Sequence, residues 1–185
     1  THWAPHTVLG PHPTMIDGHP GFAIRAWLPQ ITDVEVVSDS ILSPMTRIRE
    51  EGLYEALLPD TPLAPSYTLR LTRHDGTIAE IHDPYSFPPL LTDFDLHLFT
   101  EGTLYKAYNS FGAHIRTVQG VPGVHFVLWA PNATRVSVIG DFNAWNGLCH
   151  PMASRGSTGL WELFMPDLPE GTLYKYEIRS REDNV

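Results

Sequence analysis

Residues 123–147 read GVHFVLWAPNATRVSVIGDFNAWNG. The stretch opens with an apolar and aromatic run of strand length, Gly123-Val124-His125-Phe126-Val127-Leu128-Trp129, and halts at Ala130-Pro131-Asn132-Ala133. Proline offers a sheet no donor and Asn suits turns, so the strand ends there. In the following run, 135–140, Val136 and Val138 share one face while Ser137 takes the other, the period of two of a half-buried strand. Asp141-Phe142-Asn143-Ala144-Trp145-Asn146-Gly147 then has the composition of a loop, yet it carries two large aromatics. Aromatics in a polar loop either cap the core from outside or meet a ligand.

The same pattern occurs earlier in the chain. Residues 21–36 lie over 123–138 at an offset of 102, with Gly21, Trp27, Pro29, Thr32, Val34 and Val36 matching Gly123, Trp129, Pro131, Thr134, Val136 and Val138. Farther on, at an offset of 107, Gly52-Leu53-Tyr54-Glu55 lies over Gly159-Leu160-Trp161-Glu162, Pro59 over Pro166, and Tyr67 over Tyr174. An ordered series of this kind means two copies of one module. The pattern predicts strands near 22–28, 34–38, 53–58, 67–73 and 78–82 in the first copy, and near 124–130, 135–140, 160–165 and 173–180 in the second. Short alternating strands separated by turn residues, without intervening helices, predict antiparallel sheets packed face to face.

Between the copies, Leu104, Ala107, Tyr108 and Phe111 gather on one face of a predicted helix, with Thr103 before it and Gly112 just past it. Asp93 to Thr100 reads as a further short helical turn. At the offset of 107, Ile78 maps to Val185, so the second copy is expected to lack a counterpart of the 78–82 strand.

Composition fits this reading. In 185 residues, 42% are apolar, enough for a core, and 17 Pro and 14 Gly favour short strands over long helices. The net charge of −9, with 12 basic residues and no basic cluster, argues against nucleic acid as a partner. Cys149 is the single cysteine, so no internal disulfide and no cysteine-based metal cage is expected. With no apolar run near 18 residues and no charged-then-apolar leader, the expectation is no membrane partner and a cytoplasmic setting.

Residues 123–177 resemble carbohydrate-binding module family 48, a type of module that binds starch and glycogen. The carriers of the resemblance are apolar-x-Trp-Ala-Pro-Asn-Ala at 128–133, Val-x-Val at 136–138 and Gly-x-Phe-Asn-x-Trp at 140–145, followed by Gly159-Leu160-Trp161-Glu162 and Leu173-Tyr174-Lys175-Tyr176-Glu177. Val8-Leu9-Gly10-Pro11-His12, Asp95-Leu96-His97-Leu98-Phe99 and Phe111-Gly112-Ala113-His114 extend the likeness to the amino-terminal part of bacterial 1,4-α-glucan branching enzymes, where a degenerate copy of the module precedes a better-kept one. The expectation is thus an all-β chain of two tandem immunoglobulin-like β-sandwich modules joined by a short helical linker, the second module truncated. Residues 1–20 would be an N-terminal segment, 21–90 the first sandwich, 91–120 the helical linker and 121–185 the second sandwich. The family cleaves an α-1,4 link and re-forms it as α-1,6 with carboxyl groups on a (β/α)8 barrel. A barrel takes about 250 residues, and the chain has no alternation of strand and helix. No catalytic residue and no branching activity are therefore expected of these residues alone.

The candidate glycan-binding residues are Trp145, Trp129, Lys175 and Asn143. An indole face and the apolar face of a hexose both gain by leaving water, a contact worth about 1–3 kcal/mol. Trp145 stands in the aromatic loop. By alternation Trp129 shares the less apolar face of its strand with Val127 and His125. The resemblance implies that Trp129 and Lys175 flank the sugar, and the Asn143 amide could both donate to and accept from hydroxyls. Trp161 reads as core. The first copy has Ser38-Asp39-Ser40-Ile41 in place of the loop Trp and Thr68 in place of Lys175, so Trp27 alone predicts scaffolding. His2, His6 and His12 lie in a segment broken by Pro5, Pro11 and Pro13, so no metal and no cofactor is expected. The expected partners are α-glucan and the catalytic barrel that would follow in the parent enzyme. The alternative is a purely structural pair of modules that shapes the barrel, with both indoles buried.

Overall fold

A computed structural model describes residues 4–38, 41–60, 66–104 and 107–180. The chain divides into two compact units, one formed by His6–Ser86 and the other by the chain up to Pro5 together with the chain from Phe87 onward. The first holds β1 (Gly10–Ile16), β2 (His19–Trp27), β3 (Ile31–Ser38), β4 (Ile41–Pro44), β5 (Thr46–Arg49), β6 (Leu53–Pro59), β7 (Thr68–Arg73) and β8 (Ile78–His82). They form two antiparallel sheets in the orders β1-β2-β6-β5 and β4-β3-β7-β8. Alternate residues of each turn inward, so Ile24, Ala26, Tyr54 and Ala56 of one sheet meet Val34, Val36, Leu69 and Leu71 of the other in one core.

The second unit holds α1 (Asp93–Thr100), β9 (Gly112–Val118), β10 (Val121–Trp129), β11 (Ala133–Gly140), β12 (Ala153–Ser154), β13 (Leu160–Pro166) and β14 (Tyr174–Ser180). Its sheets are β12-β13-β10-β9 and the pair β11-β14. Phe126, Val136, Val138, Met152, Trp161 and Leu163 are buried. The fold is all-β, with immunoglobulin-like sandwiches, as expected.

The repeat survives at the level of single pairs. Gly21 faces Pro59 and Gly123 faces Pro166; Val34 faces Leu71 and Val136 faces Ile178. The isolated bridge Ser137–Pro151 stands where Glu35 meets Pro44 in the first copy. The repeat also begins earlier than the sequence reading placed it. Gly10 faces Arg25 on β1–β2, and Gly112 faces Val127 on β9–β10, again at the offset of 102. These two edge strands escaped notice because they break the apolar alternation. β1 carries Pro11 and Pro13, which an edge strand tolerates because it has no outer partner to lose.

The helix also differs from expectation. Instead of a helix over 104–111 there is a single 3-10 turn at Ala107–Asn109, and Gly112, at φ +97°, opens β9 inside the stretch read as helical linker. Residues 105–106 lie outside those described. The α-helix is Asp93–Thr100, begun by a reciprocal cap in which the Thr92 side chain accepts from the Asp95 N–H and Asp95 accepts from the Thr92 N–H. That cap satisfies two otherwise orphaned donors, whereas Asn109 and Ser110 favour a turn.

β13 is buried along its whole length. One face lies in the core; the other is covered by the segment running into α1. Phe87 meets Phe164 edge to face at 5.0 Å, and Leu91 joins Val127 and Leu160 with Leu96 and Phe99 of α1 packed against them.

Candidate functional site

The loop after β11 is built from its backbone outward. Gly140 is extended, and a β-carbon there would sit 2.7 Å from the Leu173 carbonyl oxygen and collide with the Phe142 ring, so only glycine lets the chain pass. A 3-10 turn, Asp141–Asn143, follows. Asn143 is 9% exposed and faces inward. Its Oδ1 accepts the Gly140 N–H at 3.0 Å, while Nδ2 donates to the Val138 carbonyl at 2.9 Å and lies 2.8 Å from His150 Nδ1. Burial pushes His150 down to about 4, so its ring is neutral and can accept that proton. With its amide spent on the loop itself, Asn143 is placed to shape the site rather than to touch a sugar. This departs from the sequence expectation, because a buried amide must satisfy its own groups first.

The turn delivers Ala144 and Trp145 at φ 51° and 58°, both left-handed. The Trp145 N–H donates to the Gly140 carbonyl at 2.9 Å, and its indole Nε1–H donates to Asp141 Oδ1 at 2.8 Å. The residue is 41% exposed. Lys175 arrives from β14. Tyr174 and Tyr176 turn inward onto Phe126, at 4.9 and 6.2 Å between rings, so alternation sends Lys175 outward. The β11–β14 register sets it opposite Ile139, beside the base of the loop, and its ammonium lies over the Trp145 ring at 5.6 Å. That is cation–π range. Trp145, Lys175 and Asp141 thus come together.

Trp129 stands apart from them, at the end of β10 in the other sheet. It is 56% exposed, with its ring edge-on to Phe99 of α1 at 6.3 Å. Its face-mates His125 and Val127 are buried because the segment leading into α1 covers them; Trp129 lies past the rim of that cover. Trp161 is 3% exposed and donates from Nε1 to the Ala130 carbonyl, in the core as expected.

The sequence reading missed the polar cluster under that cover. Glu162 is 2% exposed, and its Oε2 accepts from the N–H groups of Leu90 and Leu91 at 2.8 and 3.0 Å and meets His125 Nε2 at 2.9 Å. Arg155 Nε lies 3.1 Å from the other oxygen, and the same guanidinium donates to the Leu91 carbonyl. Burial alone would raise the Glu162 carboxyl, but the hydrogen bonds from His125, Leu91 and Leu90 outweigh it and hold the group below its ordinary value. The signal was present: a carboxylate in the middle of Leu-Trp-Glu-Leu-Phe belongs to a strand covered on both faces. Among the described residues no three His, Cys, Asp or Glu side chains cluster as metal ligands, and no helix is long and apolar enough to cross a membrane.

Two families match the chain. Residues 110–185 match carbohydrate-binding module 48, the isoamylase N-terminal domain, and residues 1–85 match the N-terminal domain of the α-1,4-glucan branching enzyme GlgB. The chain is 48% identical over 184 residues to the 1,4-α-glucan branching enzyme GlgB of Paramagnetospirillum magneticum, covering 100% of this chain and 24% of that protein. It is 46% identical over 188 residues to the enzyme of the same name from Rhodospirillum rubrum, covering 100% of this chain and 25% of that one. The chain therefore spans about a quarter of the length of these relatives. A pullulanase structure from Anoxybacillus sp. LM18-11 is 17% identical, covering 91% of this chain and 24% of that one, at a TM-score of 0.30.

Proposed function

We propose that the second module holds α-glucan weakly for an enzyme of which these modules form the amino-terminal part, because residues 1–85 match the N-terminal domain of the α-1,4-glucan branching enzyme GlgB and residues 110–185 match carbohydrate-binding module 48. The observation that carries this is the uncovered indole of Trp145 under the Lys175 ammonium. A flat apolar face edged by a hydrogen-bond donor suits a hexose, whose ring faces are apolar and whose rim is hydroxylated. Trp129 offers a second, separate aromatic surface. Two aromatic contacts, less the cost of ordering a sugar chain, correspond to a dissociation constant of about 0.1–10 mM.

In the whole protein, such attachment would raise the concentration of glucan chains near the catalytic domain expected to follow these modules. That domain would remake α-1,4 links as α-1,6 branches, while these modules supply no catalytic group. A cytoplasmic setting goes with this role. Both indoles are exposed in these modules, as the binding reading requires.

Native electrophoresis of the chain through gel containing glycogen tests the reading. Wild type should be retarded and Trp145→Ala should run freely, with Trp129→Ala showing how far the second surface contributes. Equal mobility of wild type with and without glycogen would remove the proposal.

A further inference from the structure

We infer that Asp141 is the positioning residue of the Trp145 platform. Its carboxylate fixes the plane of the indole so that one face stays open to a glucosyl unit. The inference rests on the reading of Trp145 as the glycan contact and adds a residue that the sequence pattern left unassigned.

Two independent observations support it. The first is the hydrogen bond itself. Asp141 Oδ1 takes the indole Nε1–H at 2.8 Å, which removes the only polar donor of the side chain from contact with a ligand. Recognition at Trp145 is left to the ring face. Lys175 lies over one side of the ring, and with 41% of the residue exposed ring surface is left for a ligand to meet. The second is the backbone. Trp145 at φ 58° follows Ala144 at φ 51°, and a bulky residue in the left-handed region is a rare, strained arrangement. Strain of this kind persists where surrounding bonds enforce it, and it gathers at binding sites. Here the Gly140 and Asp141 carbonyls accept the Trp145 and Ala144 N–H groups, and the Asp141 side chain ties down the ring.

A Trp needed only to cap the module would be buried, whereas this residue is 41% exposed and still anchored. An exposed indole free to turn about its two side-chain torsions would lose that freedom when a sugar arrives, at a cost in affinity. Asp141 removes that cost in advance. It touches the ring, not the sugar, and so acts through Trp145.

The test compares wild type, Asp141→Ala, Asp141→Asn and Trp145→Ala in the glycogen gel, with ¹H–¹⁵N spectra of the indole N–H groups. Asp141→Ala should weaken retention about three- to tenfold, the cost of ordering one freed side chain when the sugar binds. It should also move the Trp145 indole resonance upfield and leave the melting temperature near that of wild type, since the pair is exposed. Asp141→Asn keeps an oxygen in the same place and should restore both retention and resonance. If Trp145→Ala abolishes retention while Asp141→Ala is held like wild type, positioning is refuted and the glycan contact stands. If Asp141→Asn is held as weakly as Asp141→Ala, the charge matters rather than the bond to the ring, and the inference is overturned. If Trp145→Ala is retained like wild type, the platform reading falls, and this inference with it.

Discussion

At the scale of single residues, the loop after β11 trades stability for the presentation of one side chain. Ala144 and Trp145 sit where the β-carbon crowds the backbone, a cost that glycine does not bear. Ala144→Gly should therefore stabilise the second module by about 0.5–1 kcal/mol, read as a rise in denaturation midpoint at unchanged slope. A loss of stability would mean that the Ala144 methyl makes contacts worth more than the strain. Asn143 illustrates the limit of reading a residue by type. An Asn in a loop beside aromatics has the chemistry of a sugar ligand, but its amide is consumed by Gly140, Val138 and His150. What it supplies to the site is the shape of the turn.

At the scale of elements, the second module differs from the first by the cover over the outer face of β10 and β13. Glu162 is the fastening. It holds the Leu90 and Leu91 amides just ahead of α1 and is itself held by His125 and Arg155. Because its folded value lies below the ordinary 4.5, the contribution is fully present at neutral pH. It is lost as the pH falls from about 4.5 through that lowered value. Glu162→Gln should cost about 2–4 kcal/mol, since it leaves Arg155 facing a neutral group inside the protein. The Leu90 and Leu91 amides should exchange faster with solvent. Unchanged exchange at those two amides would mean that apolar packing of Phe87, Leu91 and Phe99 alone holds the segment.

At the scale of the whole molecule, the two modules should respond to acid in opposite ways. In the first, Asp83 is 2% exposed and accepts from the Tyr67 hydroxyl at 2.6 Å and the Tyr85 N–H at 2.9 Å. Burial nevertheless raises its carboxyl to about 6. The folded module thus binds this proton more tightly than the unfolded chain. Its stability falls as the pH rises from about 4 to about 6, by up to about 3 kcal/mol for a shift of two units. Asp83→Asn should flatten that slope. Thermal melts between pH 4 and 7 on wild type and variant measure it directly, and identical pH profiles would show that Asp83 ionises in the fold at little cost. Over the same range the second module should lose stability as the pH falls, first from about 6.5 toward about 4 as the unfolded chain takes up the proton that buried His150 refuses, and then below about 4.5 as Glu162 is protonated.

The sequence by itself determined the repeat, and with it most of the sheet registers. Offsets of 102 and 107 between matched residues reappear as matched strand pairs, because an alternating apolar pattern can face a core in only one register. It also marked the aromatic loop. It left the edge strands β1 and β9 unread, since strands with solvent on one side and prolines in them carry no clear period. Only the tertiary structure decided which polar residues point inward. His125, Asn143 and Glu162 are buried by partners that local pattern does not announce; for Glu162 two of them, the Leu90 and Leu91 amides, lie about seventy residues away in the chain. Exposure of Trp145 and Trp129 was settled the same way. An indole's period says which face of its strand it takes, while whether anything covers that face depends on where a distant segment such as 87–100 comes to rest.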